Sequence, residues 1–577
     1  MKLSSTAILA LAISSITATA YAESQSQAVT PVTLKTTSEQ SEAKGFIDGQ
    51  SISGSTRNWY ANEQFKRGAK LTYRKNGEAR ETDRRINWLQ GTIIKYNSGF
   101  TEGTVGFSTE LAAYNVIALD QDRKDLASNN GGAPTTRPGA GNNRTLTREG
   151  GDAVGQWSKL GLANVKARVS NTTLTAGRQN FSSPMVDVIG NRALPSSFQG
   201  VSLHSEEFEN LAFDVATFDR NSPRTEESQR KFRSEYGDSS VETDHVNTAG
   251  ITYQPLASLK TSLWATQAED LWNQYYFGAT HELGDSSVLS LTTGLNYYKT
   301  VDSGKSKLGE IDNDTYSLSF GLTHQAHSLT FSYQEVNGNE YFDYLHETNG
   351  IYLANSLLSD FNGPNEKSFQ IAYGLNMAEY GVPGLKFNIY QARGWGIDGT
   401  HYNSTGYSDV RAMDGEHHYE YGIGASYAVQ SGPLKATAIR ATYTAHRASE
   451  KPGRRQPQRV PPGHHHSVQH SLNCHRAVDS QGRPSGLLPF TRLQRIDDEH
   501  DPPTRRHRRC AAECRRWRHG QTPGGLHRSQ PGRLRHGPVH DCSHCRRRGR
   551  NHFQSPGRFQ TRHHRSDSGP GRILGHQ

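Results

Sequence analysis

Apolar and polar residues alternate over long stretches of this chain. In "VLSLTTGLNYYKT" Leu289, Leu291, Leu295 and Tyr297 share one parity, while Ser290, Thr292, Gly294 and Asn296 share the other. In "SFQIAYGLNMA" Phe369, Ile371, Tyr373 and Leu375 oppose Gln370, Ala372, Gly374 and Asn376. In "SLTFSYQEV" Leu329, Phe331 and Tyr333 oppose Thr330, Ser332 and Gln334, and "SLSFGLTHQ" and "GLKFNIYQARG" repeat the pattern. Successive side chains of a strand point to opposite faces, so this period of two predicts strands with one apolar and one polar face. The expected fold class is all-β.

A soluble β-sandwich or solenoid would share the alternation. Two features point instead to an antiparallel transmembrane β-barrel. The polar faces are rich in Gly, Ser, Thr, Asn and Gln, as a wet lumen would be. Aromatic residues gather at expected strand ends, as in Trp59-Tyr60, Tyr275-Tyr276-Phe277 and Tyr297-Tyr298, in the manner of interfacial girdles. Closure also removes the strand edges that lipid cannot satisfy. At roughly 24 residues per strand and connection, residues 23–450 make about 18 strands, a size that leaves an aqueous channel. Pro383-Gly384 and Gly432-Pro433 read as short periplasmic turns, and residues 122–152 as a polar extracellular loop.

Charge divides the chain in two. The formal net charge of +9 is an average over unlike parts. Residues 451–577 hold 26 of the 65 Lys and Arg, 8 of the 56 Asp and Glu, 16 of the 26 His, all five Cys and none of the 25 Tyr. They carry +18, so residues 1–450 carry −9. The basic character therefore says nothing about the partners of the main body. Residues 1–22, "MKLSSTAILALAISSITATAYA", read as a signal peptide: Lys2, an apolar run from Ala7 to Ile13, and Ala20-Tyr21-Ala22 as cleavage site. That run is too short to span a membrane, and no run of 18 apolar residues follows it. The body lacks Cys and needs no disulfide or thiol cofactor.

Several stretches carry a family resemblance: "EAKGFIDGQSISGSTRNWY" (42–60), "WLQGTIIKYNSGFTEGTVGF" (88–107), "NRALPSSFQG" (191–200), "AEDLWNQYYF" (268–277), "YLANSLLSDFNGPNEKS" (352–368) and "EHHYEYGIGASYAVQSGPLK" (416–435). Together they resemble the OprD family of substrate-specific outer-membrane porins of Gram-negative bacteria. The resemblance implies an 18-stranded monomeric barrel, weakly trimeric at most, among outer-membrane lipid and lipopolysaccharide, inserted by the assembly machinery. It implies passive diffusion of small carboxylate-bearing solutes, whether amino acids or small organic or aromatic acids, past an inward-folded loop and along a basic ladder. Carried over residue by residue, the ladder is Arg57, Arg168, Arg393 and Arg440, with Arg192 on the constriction loop. A guanidinium matches a carboxylate bidentately, and a graded row of such sites admits a ligand and passes it on. Arg440 shares parity with Thr442, Thr444 and His446, and Arg168 with Lys166 and Ser170. Where the family often has a second Arg, this chain has Thr442. No cofactor, catalytic residue or metal ligand is expected. The alternatives are an outer-membrane barrel enzyme of protease or lipase type, for which His417, His418 and His446 show no partner at recognisable spacing, and a truncated, non-functional porin.

The stretch "PPGHHHSVQHSLNCH" (461–475), with "CAAEC" and "CSHC" beyond it, invites a zinc or nucleic-acid reading. Yet residues 451–577 offer almost nothing to build a core, and the family stops near His446-Arg447. Read one base along, with permissible codons, Lys451 to Asn473 becomes Asn-Gln-Ala-Asp-Gly-Ser-Leu-Asn-Glu-Phe-Arg-Leu-Val-Thr-Thr-Ile-Pro-Phe-Asn-Ile-Leu-stop. That is an Asp-Gly turn, an apolar strand and a stop. The expectation is a one-base insertion near Glu450, a disordered out-of-frame tail over residues 451–577, no nucleic-acid partner, and a barrel that has lost its last strand.

Overall fold

The computed structural model describes residues 38–64, 71–75, 78–121, 146–148, 154–432, 434–435, 437–449 and 465–471; for 71–75, 78–82, 121 and 465–471 it describes the backbone alone. The expected signal peptide (residues 1–22), most of residues 122–152 and all five cysteines lie outside the described residues. The chain divides into two units, Met1–Ile496 and Asp497–Gln577, and every described residue belongs to the first.

The strands run β1 (Ser51–Gln64), β2 (Leu71–Lys75), β3 (Glu78–Thr82), β4 (Arg84–Asn97), β5 (Val105–Gln121), β6 (Gln156–Val169) and β7 (Thr172–Gln179). They continue with β8 (Ser197–Phe208), β9 (Leu211–Ser222), β10 (Phe232–Arg233), β11 (Glu242–Thr243), β12 (Val246–Leu256), β13 (Leu259–Ala268), β14 (Trp272–Asp285) and β15 (Leu289–Asp302). The rest are β16 (Asp312–His324), β17 (His327–Asn337), β18 (Lys367–Asn376), β19 (Leu385–Asp398), β20 (Asp414–Ala428), β21 (Ala438–Ala448) and β22 (His465–Ser471). β2–β3 and β10–β11 are separate hairpins, and the others form one antiparallel sheet of 18 strands. Because β1 pairs with both β4 and β22, the sheet closes on itself.

Alternation decides which way each strand faces. On β18 Phe369, Ile371 and Tyr373 are exposed on the outside, while Ser368 and Gln370 are buried inside. On β17 Ser332 and Gln334 are buried within the barrel in the same way. The connections differ at the two rims. At one rim β6–β7, β8–β9 and β16–β17 turn within two residues, using Ser170, Asn210 and Gln325 at positive φ. Residues 180–196, 223–245, 338–366 and 399–413 connect strands at the other rim. Short periplasmic turns opposite long extracellular loops are the usual polarity of outer-membrane barrels.

Loops fill much of the interior on the long-loop side. Phe181, Met185, Phe232, Phe342, Leu345 and Tyr407 from the loops pack with inward Phe198, Phe218, Trp272 and Tyr298 from the wall. This corrects the girdle expectation. Tyr275 and Tyr297 do face outward, but their opposite-parity neighbours Tyr276 and Tyr298 belong to the buried interior, as does Trp59 on β1. Adjacent aromatics on a strand cannot both face lipid.

The lost-strand expectation also needs correction. Residues 465–471 occupy the last place in the barrel, pairing Arg440↔Ser471 through His446↔His465 on β21 and Tyr60↔His470 through Gln64↔His466 on β1. The ladder bonds backbone to backbone, so side-chain composition alone does not prevent a segment from pairing there. The strand that closes the seam is the stretch that the shifted frame reads as an apolar strand.

Candidate functional site: the lumen and its constriction

The constriction loop, residues 180–196, is held against the wall at defined points. Arg57 on β1 is 9% exposed and donates from Nη1 to the carbonyls of Gly190 and of Arg192, the latter at 2.7 Å. Ala193 and Leu194 pack with Trp59, Leu89, Tyr114 and Leu162. Gly91 on β4 makes the close approach possible: a Cβ there would lie 2.2 Å from the Ala193 carbonyl oxygen. From the far side the Tyr298 hydroxyl donates to the Pro184 carbonyl at 3.0 Å.

Charged groups surround the inner end of this loop. The Arg224 amide donates to Glu347 Oε2 at 3.0 Å, its guanidinium pairs with the same carboxylate at 3.3 Å, and its Nη1 donates to Asn191 Oδ1. Burial works to raise the Glu347 carboxyl, but the charges of Arg224, His346 and Arg192 outweigh it and hold the group below its ordinary value. Arg192 is thus half-buried in the field of Glu347.

The wall below is basic but largely paired. Lys159 on β6 donates to the Glu226 carbonyl at 2.8 Å and sits over Trp157. Lys166, farther along β6, and Lys95 on β4 converge on Glu110 of β5, Lys166 at 3.3 Å. Asn164 supports the same carboxylate at 3.1 Å. Arg168 lies beyond, next to the short turn at Ser170-Asn171, and pairs with Glu39 at 3.2 Å.

The structure treats the expected ladder unevenly. Arg57 and Arg168 take the inward parity, and both are engaged by protein groups. Arg440 is half-buried on the parity of Thr444 and His446, opposite exposed Ile439. Arg393 is a correction. It shares the outer parity with exposed Phe387 and Ile389, and stacks over Tyr419 at 5.4 Å. It belongs to the outer surface near the long-loop rim, where an aromatic ring suits a cation at the membrane interface. Parity alone would have flagged Lys95 and Glu110. Arg224 and Glu347 lie in loops, where no period announces orientation.

The histidines acquire a structural partner that spacing did not show. His418 is buried, shares a hydrogen bond with His446 at 2.7 Å, contacts Glu366 across 52 residues, and stacks on Phe361. Glu420 takes the amides of Leu358 and Ser359 at 3.0 and 2.9 Å. These contacts fasten residues 356–366 to the wall. Ser359 Oγ stands 3.5 Å from His418 Nδ1, the nitrogen that His446 already engages more closely. Among the described residues, no group of three or more His, Cys, Asp or Glu is arranged to hold a metal ion.

Two loop carboxyls titrate unusually high. Burial pushes Asp187 up to about 7, against the opposing bonds of Asn349, Ser182, Val188 and Tyr352. Burial likewise pushes Glu340 up to about 7. Their folded-state values exceed the ordinary carboxyl range near 4, so the folded loops bind more protons between about pH 4 and 7 and lose stability as pH rises through that window. Asp187 also joins the constriction loop to residue 349, since the Asn349 amide donates to the Asp187 carbonyl at 2.9 Å. Protection factors of the amides over residues 183–196, which correct for the base catalysis of exchange itself, are therefore expected to be higher at pH 5 than at pH 8, by about tenfold or more, the equivalent of one pKa unit. Equal protection at the two pH values would contradict this.

A closed 18-stranded antiparallel barrel, apolar outside, polar inside and narrowed by an inward loop, defines a transmembrane porin. The chain belongs to the OprD family: the model for "outer membrane porin, OprD family" matches residues 44–460. It is 36% identical over 430 residues to Porin D of Pseudomonas aeruginosa, covering 72% of this chain and 90% of that protein. It is 28% identical over 405 residues to the porin-like protein GalP of Pseudomonas putida, covering 70% and 88%. The crystal structure of Pseudomonas aeruginosa OccD3 (OpdP) superposes with a TM-score of 0.62 at 40% identity, covering 76% of this chain and 95% of that one. That of Pseudomonas aeruginosa OprD superposes with the same score at 30% identity, covering 78% and all of that chain. This protein is accordingly an outer-membrane channel and not an enzyme.

Proposed function

We propose that the channel carries small solutes bearing a carboxylate, either amino acids or small organic acids, through the constriction and along a basic wall. The observation that supports this reading most is the row of cations on β6 and its neighbours. It leads from Arg192 and Arg224 at the constriction, past Lys159, to Lys166 with Lys95, and then to Arg168. Arg440 contributes from the opposite side of the seam. Each cation in the row has a local counter-group, so a solute carboxylate meets sites that it can enter and leave by exchange. The barrel acts as a monomer among lipid and lipopolysaccharide after insertion by the assembly machinery, without cofactor or nucleic acid.

Liposome swelling with benzoate, arginine and a neutral sugar tests the reading. Arg440→Ala is expected to slow benzoate entry several-fold and leave the sugar unchanged. A lost charge-assisted contact contributes about 1.5–3 kcal/mol, roughly ten- to a hundredfold in affinity at that one site, of which flux along a wall of several sites registers a part. Unchanged benzoate entry removes Arg440 from the pathway. Equal entry of benzoate and sugar in the parent protein removes the carboxylate preference itself.

A further inference from the structure

The N-terminal segment, residues 38–44, is folded onto the short-turn mouth of the barrel beside Arg168. Its anchors are specific. The Gln40 amide donates to the Ser170 carbonyl at 3.1 Å, and the Gln40 side-chain amide donates to the carbonyls of Thr101 and Gly103 at 2.9 and 3.0 Å. The Glu39 amide donates to Asn171 Oδ1 at 2.8 Å. Gly106 clears the space, because a Cβ there would fall 2.2 Å from Gln40 Oε1. Gln40 is 3% exposed in consequence.

The segment delivers a carboxylate to the last cation of the wall. Arg168 stands over the Phe100 ring at 3.8 Å, donates from Nε to Gln40 Oε1 at 3.1 Å and pairs through Nη1 with Glu39 Oε2 at 3.2 Å. The Arg168 side chain is 12% exposed and that of Glu39 35%. Glu39 therefore reaches water while Arg168 does not readily do so. Upstream, Glu110 neutralises Lys95 and Lys166 in a comparable way.

We infer that Glu39 is a specificity-determining residue of the exit. Its carboxylate occupies Arg168 in the resting channel and returns to it as a solute carboxylate leaves, so departure never strands a bare guanidinium. This rests on the carboxylate reading above for its account of flux. Its electrostatic core, that Glu39 masks Arg168, stands apart from that reading. A fixed guanidinium without its internal partner would hold a carboxylate longer, because charge-assisted bidentate pairs are the strong ones.

The test uses the full chain in planar bilayers, with Glu39→Gln alone and combined with Arg168→Gln. Glu39→Gln keeps the segment's backbone bond to Asn171 and the Gln40 anchors while removing the charge. It is expected to shift the reversal potential in a potassium chloride gradient toward anions, and the second substitution is expected to cancel the shift. Benzoate-induced current interruptions are expected to lengthen about tenfold in the single variant, the scale of one decade in dissociation constant. An unmoved reversal potential in Glu39→Gln overturns the inference, whatever solute the channel prefers. A moved potential with unchanged benzoate interruptions overturns the exit role and leaves only the masking. Heat-modifiability of each variant on gels separates these outcomes from a failure to assemble. A merely structural Glu39 would alter that readout and not the selectivity.

Discussion

Removing one adenine from the codons for Glu450 and Lys451 is expected to raise the yield of heat-modifiable barrel by orders of magnitude. The structure shows that backbone pairing at the seam is achievable as the chain stands, since β22 bonds to both β21 and β1. Pairing is only part of what a lipid-facing strand must supply. The register sets His466, Val468 and His470 opposite Ala445, Tyr443 and Ala441, which take the parity of outward Ile439. Residues 464–471 carry four histidines and a single aliphatic residue, Val468. In the restored frame the same stretch reads Thr-Thr-Ile-Pro-Phe-Asn-Ile-Leu and then stops. Each apolar side chain moved out of water contributes about 1.5–3 kcal/mol. Two or three of them amount to roughly a thousandfold in the folded ratio, at 1.4 kcal/mol per decade. The described part of β22 has seven residues against fourteen in β1, and its described ladder with β1 runs from Tyr60 to Gln64. The comparison is made by expressing both forms and measuring gel heat-modifiability and channel insertion. Equal yields would show that composition of the last strand does not limit assembly here. Resequencing across Glu450 separately establishes whether the extra base is real.

Gly91→Ala is expected to narrow the channel at the constriction without unfolding it. The added methyl would meet the Ala193 carbonyl at 2.2 Å and Leu194 at 3.2 Å. Backbone cannot yield as a flexible side chain can, so the constriction loop must lift from the wall. Overpacking of this kind costs about 1–3 kcal/mol, small beside the ladder that Gly91 shares with Arg57 on β1 and Val116 on β5. Lifting the loop draws the Gly190 and Arg192 carbonyls away from Arg57. Single-channel conductance is expected to fall and the preference for benzoate over a neutral sugar to change with it. A variant with parental conductance and selectivity would show that the contact at Gly91 does not set the constriction.

The alternation made the barrel legible because inward and outward facing is a local property of each strand. Gln370 and Phe369 are assigned to opposite faces by parity alone, and the structure agrees. Even so, parity had to be applied to every residue, including members of an aromatic pair: Tyr298 is buried beside outward Tyr297. Arg393 was misassigned because resemblance outweighed its own parity with Phe387 and Ile389. The seam was misread for another reason. Side-chain composition argued against a strand at 465–471, whereas closure is made by backbone groups that composition does not encode.

The period of two in this sequence thus determined the strand class and the parity of Arg168 and Arg440, while chain length gave the approximate number of strands and the family resemblance singled out Arg57. Only the tertiary structure decided which carboxylate each cation meets. Glu39 lies 129 residues from Arg168, Glu347 lies 123 from Arg224 and Glu366 lies 52 from His418. Those encounters depend on how the barrel brings distant strands to a common lumen and how loops of irregular backbone fold into it. Period and spacing carry no information about either, because nothing local to a loop fixes the direction in which it folds.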